Sequence, residues 1–355
     1  MIAEIKVNKP EPIIVLEELN SYNSRSDLES TIQGLRMGKS ISINGFYNEG
    51  LSLLKGIHRF LRLSLPNKSF LEQREFRAEY HKLSNLILIE IVDQKISARK
   101  SPNIGWLAKF YPENSRFYLT LPQVQGLNSS WQWYKNGISI PVLRNKIHPF
   151  YGIYFPTRFE HLLLFDNWMQ RYEGVKKTGI DVGVGCGVLS LLMVQHGFQK
   201  VYATDINPNA IVGLKEFMGT TKLSRKIELD FGNLFGKWEI PTELIVFNPP
   251  WLPKKHDLSS IDDAIYYGET LFSEFFIEAK KRLLPEGKLV LIFSNLARIT
   301  NVTDEHPIEK ELAEGKRFQL EKCYKKTVQV SSAKTRRDQY WRSEEEVELW
   351  ILTNI

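Results

Sequence analysis

One stretch constrains this chain more than any other. Gly179-Ile180-Asp181-Val182-Gly183-Val184-Gly185-Cys186-Gly187 runs directly into the apolar segment Val188 to Val194. A buried strand, a glycine turn and the start of a helix account for this order of residues. Turn glycines let backbone approach a ligand closely, and the helix start offers free N–H groups. The same pattern also suits a plain tight strand–helix connection, so the rest of the chain has to decide.

Downstream the pattern alternates. Strands are expected at Gly179 to Val182, Val201 to Thr204, Ile227 to Leu229, Glu243 to Phe247 and Lys288 to Phe293. Helices are expected at Val188 to His196, Pro208 to Met218 and Leu271 to Leu284, the last ended by Pro285-Glu286-Gly287. Such alternation means a parallel sheet covered on both faces. Phe318 to Val330 and Glu346 to Leu352 read instead as two strands with no helix between them, an antiparallel pair at one edge.

The first half reads differently. Short helices are expected at Pro12 to Asn20 and Ser26 to Met37, and longer ones at Asn48 to Leu63 and Phe70 to Leu83, with Pro66 and Asn67 between those two. Leu86 to Val92, Phe117 to Leu121 and Trp131 to Val142 have strand character. Lys135-Asn136-Gly137 reads as a hairpin turn. Helices first and a small sheet after is the expected order, with a boundary in Asn145 to Pro149. Trp106, Trp131, Trp133 and Tyr134 suit a small-sheet core, or a surface on which bases stack. His58 and His81 sit among apolar neighbours and read as packed.

At 355 residues the chain has room for two domains, and its 43% hydrophobic and 25% charged content is ordinary for globular proteins. No apolar run approaches the roughly 20 residues of a membrane span, and Met1 to Pro10 lacks an apolar secretory core. Two cysteines make no disulfide framework, and metal-type CxxC or HxxxH spacings are absent. A cytoplasmic protein without metal or membrane contact is expected. Net charge is +6, and Met1 to Phe150 holds about 20 Lys/Arg against about 13 Asp/Glu. That excess suits a solvated surface, or a face turned to RNA, DNA or an acidic protein.

Ligands in such sheets bind at the carboxyl ends of the strands. The first strand ends in the glycine turn, and the second in Asp205, placed to accept from ribose hydroxyls. Gly232-Asn233-Leu234-Phe235 offers a side-chain carbonyl. The fourth strand ends in Asn248-Pro249-Pro250-Trp251. Its prolines fix the backbone and donate no N–H, leaving the Asn248 side chain and the Pro249 carbonyl as acceptors, with an aromatic ring beside them. Two such acceptors suit a planar –NH2 group and aim its nitrogen at an electrophile. Cys186 reads as a small filler, since no partner is placed to make a thiolate.

Gly179 to about Phe293 resembles the class I S-adenosylmethionine-dependent methyltransferases, in the branch with an Asn-Pro-Pro-aromatic motif: HemK-like glutamine methyltransferases, adenine-N6 methyltransferases and guanine-N2 ribosomal RNA methyltransferases. The resemblance implies an α/β fold, a Rossmann-like class I methyltransferase sheet with an antiparallel C-terminal strand pair, preceded by a smaller α+β domain. The division expected is 1–148 and 149–355. It implies S-adenosylmethionine as cofactor, with Asp181, Gly183, Gly185 and Gly187 at its methionine part, Asp205 at the ribose and Asn233, where the family usually has Asp, at the adenine. Asn248 and Pro249 would hold the target nitrogen, with Trp251, in place of Tyr or Phe, stacking on it. Pro156-Thr157-Arg158-Phe159-Glu160 is loosely similar to a Pro-Arg-x-x-Thr-Glu segment of HemK-like enzymes. On that likeness Arg158 joins the cofactor set, although pairing at a helix start suits it equally.

The expected activity is N-methylation of an amide or exocyclic amine on a protein or an RNA or DNA substrate. A methyltransferase-like binding module and a NAD-dependent dehydrogenase are the rival readings. The basic group Lys334, Arg336, Arg337 and Arg342 suits phosphate contact or a solvated loop. Asp257 to Asp263 has the position of a lid.

Overall fold

The computed structural model describes residues 5–16, 18–65, 70–219, 221–254, 266–329 and 344–355. The basic group at Lys334 to Arg342, the Asp257 to Asp263 loop and Pro66-Asn67 lie outside them. Two compact units emerge, Lys9–Asn136 and Met1–Asn8 with Gly137–Ile355.

In the Lys9–Asn136 unit, β1 (Asn20–Ser21), β2 (Ile41–Ser42), β3 (Ile87–Val92), β4 (Lys95–Ile96) and β5 (Arg116–Thr120) form one sheet. β3 is its centre, parallel to β2 and antiparallel to β4 and β5. Around it lie α1 (Leu28–Arg36), α2 (Tyr47–Ser64), α3 (Phe70–Ser84), α4 (Gly105–Phe110) and α5 (Leu121–Asn136). α2 buries Leu53, Leu54, Ile57 and Leu61, a helical stripe with the expected spacing.

Several expectations fail here. Strands and helices interleave instead of helices coming first, with β1 ahead of α1 and α5 at the end. The described residues of Pro12 to Asn20 are not a helix: Ile13 bridges Tyr118 of β5 through paired backbone bonds of 2.9 and 2.8 Å. An open strand edge captures a segment rich in β-branched residues. Trp131 to Val142 is not a hairpin arm either. Leu121, Val124 and Leu127 form a buried helical stripe, the helix runs through Asn136, and Gly137 follows with φ +69°. Asn-Gly serves here as a helix stop, a use of left-handed geometry that reads the same in sequence as a hairpin turn. Of the aromatic group Trp106 is core: fully buried, it lies 5.0 Å from Phe110, 5.4 Å from the half-buried Trp131 and 4.6 Å from the half-buried Tyr134, ring centre to ring centre. Trp133 is exposed. His58 and His81, expected to be packed, are both exposed; His58 meets Phe76 and Tyr80 edge-on at the surface, and His81 sits beside Asn85.

The other unit opens with α6 (Glu160–Arg171) and then alternates: β6 (Thr178–Val182), α7 (Val188–Gln195), β7 (Lys200–Asp205), α8 (Pro208–Gly219), β8 (Ile227–Phe231) and β9 (Thr242–Phe247). β10 (Leu252–Pro253) and β11 (Tyr266–Tyr267) pair briefly. α9 (Leu271–Arg282) leads into β12 (Leu283–Ser294), whose register shifts between Leu283 and Lys288, where Pro285-Glu286-Gly287 falls. Short helices α10 (Leu296–Ile299) and α11 (Pro307–Lys310) precede β13 (Phe318–Thr327) and β14 (Glu346–Asn354). The two short helices carry too few residues for a period to show in sequence.

The sheet order is β13-β14-β12-β9-β6-β7-β8. Strands β12, β9, β6, β7 and β8 are parallel, while β14 runs antiparallel to both neighbours. The expected antiparallel pair is therefore present, with its second strand inserted beside β12. One face is covered by α9, where Phe235, Phe247, Phe272, Phe275, Phe276 and Phe293 form a dense aromatic core. Phe275 lies 4.6 Å from Phe247 and 5.7 Å from Phe235, offset contacts that aromatic rings prefer. The chain order reverses between β6 and β9, so the carboxyl ends of these strands open a crevice there.

Candidate functional site

The crevice is built from four strand ends. β6 delivers Asp181, fully buried between its neighbours Ala203 and Val246. Its Oδ2 accepts from Ser190 Oγ, in the first turn of α7, at 2.6 Å. Its Oδ1 is buried and has no partner among the described residues. Burial pushes the Asp181 carboxyl up to about 7, with the Ser190 bond opposing the shift. A buried carboxylate oxygen without a donor is costly and asks for one.

The turn that follows keeps Gly183, Gly185 and Gly187 at φ +69°, +51° and +85°. L-residues resist these angles, which is why the sequence spends three glycines here. A Cβ at Gly185 would meet nothing closer than Tyr154 O at 4.0 Å, so the turn faces open space at this residue, whereas one at Gly187 would lie 2.8 Å from Leu214. Cys186 is held in the same turn, and burial pushes its thiol up to about 12, which makes it inert as expected.

β7 delivers Asp205. Its Oδ2 accepts from Gly185 N and its Oδ1 from Asn207 N, each at 2.8 Å. The Ile206 amide also bonds this carboxylate, so one of its four acceptor sites remains. Burial raises its pKa, against those backbone bonds. Asn207 and Asn209 do work that the sequence reading missed. Asn207 Nδ2 donates to Gly152 O at 2.9 Å, and Asn209 Nδ2 to Tyr151 O at 2.7 Å. They tie the segment bearing Tyr154 beside the glycine turn. The Asp205-x-Asn207-Pro208 spacing, an Asx turn with proline at the first helical position, was the available signal. Ile206 and Phe231, exposed apolar residues just past β7 and at the end of β8, also went unread.

After β8, Gly232 N donates to Asp205 O at 3.1 Å and Gly236 N to Asn233 O at 2.8 Å, closing a tight turn. Asn233 is exposed, at a cavity of about 330 Å³ shared with Phe235, Glu274 and Arg282. β9 ends at Asn248. Pro249 is buried, and Trp251 Nε1 donates to Asn248 Oδ1 at 3.1 Å. The Trp251 ring packs against the aromatic core and meets His161 edge-on at 5.9 Å and 88°. Burial lowers the His161 pKa to about 4, so the ring is neutral at pH 7.

The structure gives Arg158 a different neighbour from the one the resemblance implied. Its guanidinium pairs with the buried Glu345 carboxylate at 2.8 Å. Glu160 Oε1 accepts from Gln329 N at 3.1 Å, and Glu345 O accepts from Val328 N at 2.8 Å. Arg158 and Glu160 thus fasten the start of α6 to the ends of β13 and β14. Among the described residues no cluster of His, Cys, Asp or Glu fits a metal ion, and no helix is long and apolar enough to cross a membrane.

Residues 162–322 match the methyltransferase small domain family. Over these residues the chain carries a class I S-adenosylmethionine-dependent methyltransferase domain, similar to those of the HemK-like branch. It is a methyltransferase, with S-adenosylmethionine as its cofactor. A putative protein N5-glutamine methyltransferase of Methanocaldococcus jannaschii is 29% identical over 168 residues, covering 45% of this chain and 80% of that relative. A release factor glutamine methyltransferase of Dictyoglomus turgidum is 37% identical over 84 residues, 22% of this chain and 29% of the relative. Among solved structures, a 16S rRNA N2 G1207 methyltransferase of T. thermophilus aligns at a TM-score of 0.39 and 19% identity, covering 61% of this chain and 49% of that one.

Proposed function

We propose that the enzyme methylates a planar –NH2 nitrogen of a macromolecule, and that this nitrogen is a protein glutamine side-chain amide. The Asn248-Pro249-Pro250-Trp251 turn carries the reading. Asn248 Oδ1 and Pro249 O are acceptors, and the prolines put no N–H donor beside them. Together they engage both protons of an –NH2 group and draw its lone pair out of conjugation. Bound S-adenosylmethionine supplies the methyl group as an electrophile. The gain is chiefly alignment, worth several kcal/mol. An amide nitrogen is barely basic, so the residues need only hold it in line while its proton leaves.

The residues fit the cofactor. The Asp181 Oδ1, unpartnered among the described residues, and the glycine turn, open at Gly185, suit its cationic methionine end. We assign the remaining Asp205 acceptor site to a ribose hydroxyl and the exposed Asn233 side chain to the adenine. Arg158 falls outside this set because of its bond to Glu345.

The long alignment with the relative named as a protein N5-glutamine methyltransferase supports the protein amide. A second reading, an exocyclic amine of RNA or DNA, draws support from the excess of cations in the first half, about 20 against about 13. The test is transfer of labelled methyl from S-adenosylmethionine into a ribosome-containing cell extract, divided between protease and nuclease, with Asn248→Ala alongside. Label lost to protease and dependent on Asn248 is expected. Label lost to nuclease instead would establish the second reading. Label independent of Asn248 would overturn both.

A further inference from the structure

We infer that Trp251 is a positioning residue: its indole N–H fixes which end of the Asn248 side-chain amide faces the target nitrogen. This rests on the reading of the Asn-Pro-Pro-Trp turn given above.

A terminal amide has an accepting end and a donating end, and the torsion that exchanges them is soft. Only the accepting end can serve an –NH2 substrate. The donating end would set N–H against N–H. The indole nitrogen is donor only, so its contact with Asn248 at 3.1 Å is satisfied by the oxygen alone. The oxygen keeps a second lone pair for the substrate. Phe at this position would supply the ring without the donor.

The indole is itself held. His161, on α6 and 8% exposed, meets it edge-on at 5.9 Å. It also packs against the aromatic core that includes Phe247 of β9. Between donor and acceptor stand Pro249 and Pro250, whose rings restrict φ and hold the three-residue span that closes the contact. The packed ring holds its N–H edge in place, and that edge sets the amide.

The full-length protein, with the same ribosome-containing extract as methyl acceptor, provides the test. Initial rates against extract concentration separate an apparent KM from kcat for the wild type, Trp251→Phe, Asn248→Ala and the double variant. Trp251→Phe should lower kcat about tenfold, the scale of one lost hydrogen bond, with apparent KM and S-adenosylmethionine affinity unchanged. In the double variant the Trp251 change should cost nothing further, because there is no amide left to set. Unchanged kcat in Trp251→Phe, or an equal further loss on top of Asn248→Ala, would overturn the inference. An Asn248→Ala enzyme with wild-type rate would instead overturn the reading of the turn. Should Trp251→Phe fail to bind cofactor, the eight tryptophans of the wild type and of Asn248→Ala provide a second measurement. One indole N–H resonance should move upfield when Asn248 is removed, and none moving refutes the contact.

Discussion

Replacing Asp181 by Asn should remove most of one pH dependence from the stability of the cofactor-free protein. Burial pushes the folded carboxyl up to about 7, whereas an unfolded Asp titrates near 3.9. Between these values the folded chain keeps a proton that the unfolded chain has lost. Stability therefore falls as pH rises, by about 1.4 kcal/mol per unit, and levels off above 7. From pH 5 to pH 8 the loss sums to about 3 kcal/mol. Asn does not titrate, and its side-chain oxygen can still accept from Ser190. The stability of Asp181→Asn minus that of the wild type should thus grow by about 3 kcal/mol between pH 5 and pH 8, whatever its offset at pH 5. Asp205, also raised by burial, is present in both proteins and largely cancels. Urea unfolding at pH 5, 6, 7 and 8 without cofactor measures the difference. A difference that stays constant across that range would refute the argument. It would mean that Asp181 is solvated or paired by a group that keeps its carboxylate ionised.

Two further outcomes follow from the geometry. Gly185→Ala places a methyl group in open space at φ +51°, so stability should drop by only about 1 kcal/mol while S-adenosylmethionine affinity falls at least about tenfold; calorimetry showing wild-type affinity would remove the turn from the cofactor set. Glu348 is buried among three donors, His306 Nε2 at 3.0 Å, Trp350 Nε1 at 2.9 Å and Lys325 Nζ at 2.8 Å. Those bonds hold its carboxyl down at about 2 against the opposing effect of burial. Its contribution to stability is complete above the ordinary Glu range and is lost as pH falls toward 2. Glu348→Gln should therefore unfold more easily at pH 7, and its deficit should shrink between pH 4 and pH 2, as read by acid titration of the near-ultraviolet circular dichroism.

The sheet was legible because its signals are local. Each strand from β6 to β9 is a short apolar run closed by a turn with its own chemistry, and each helix between them opens within a few residues. The first unit was less legible for the same reason in reverse. β1, β2 and β4 are two residues long, and a two-residue strand has no period. Whether residues Pro12 to Asn20 coil or extend depends on Tyr118, about a hundred positions away, whose backbone captures Ile13. Asn136-Gly137 shows that even a strong local signal has two structural uses. Only the buried stripe Leu121, Val124 and Leu127 ahead of it decides between them.

The site divides along the same line. Residue types at strand ends could be read, because glycine, an acid and Asn-Pro-Pro each restrict what the backbone there can present. The partners of those residues could not. Arg158 and Glu345 are 187 positions apart, and nothing in Pro156 to Glu160 names the carboxylate that takes the guanidinium. Likewise His161 reads as one more residue of an amphipathic helix until β9 delivers Trp251 beside it. The chemistry of a crevice like this is therefore specified twice. Local sequence sets which groups stand at the strand ends. Distant contacts set the orientation and protonation in which they stand there: Ser190 and burial for Asp181, the Gly185 amide for Asp205, and the Trp251 indole for Asn248. Substitutions in the second class should leave the fold in place and alter catalysis, which is why Trp251→Phe is more informative about this enzyme than removal of Asn248 alone.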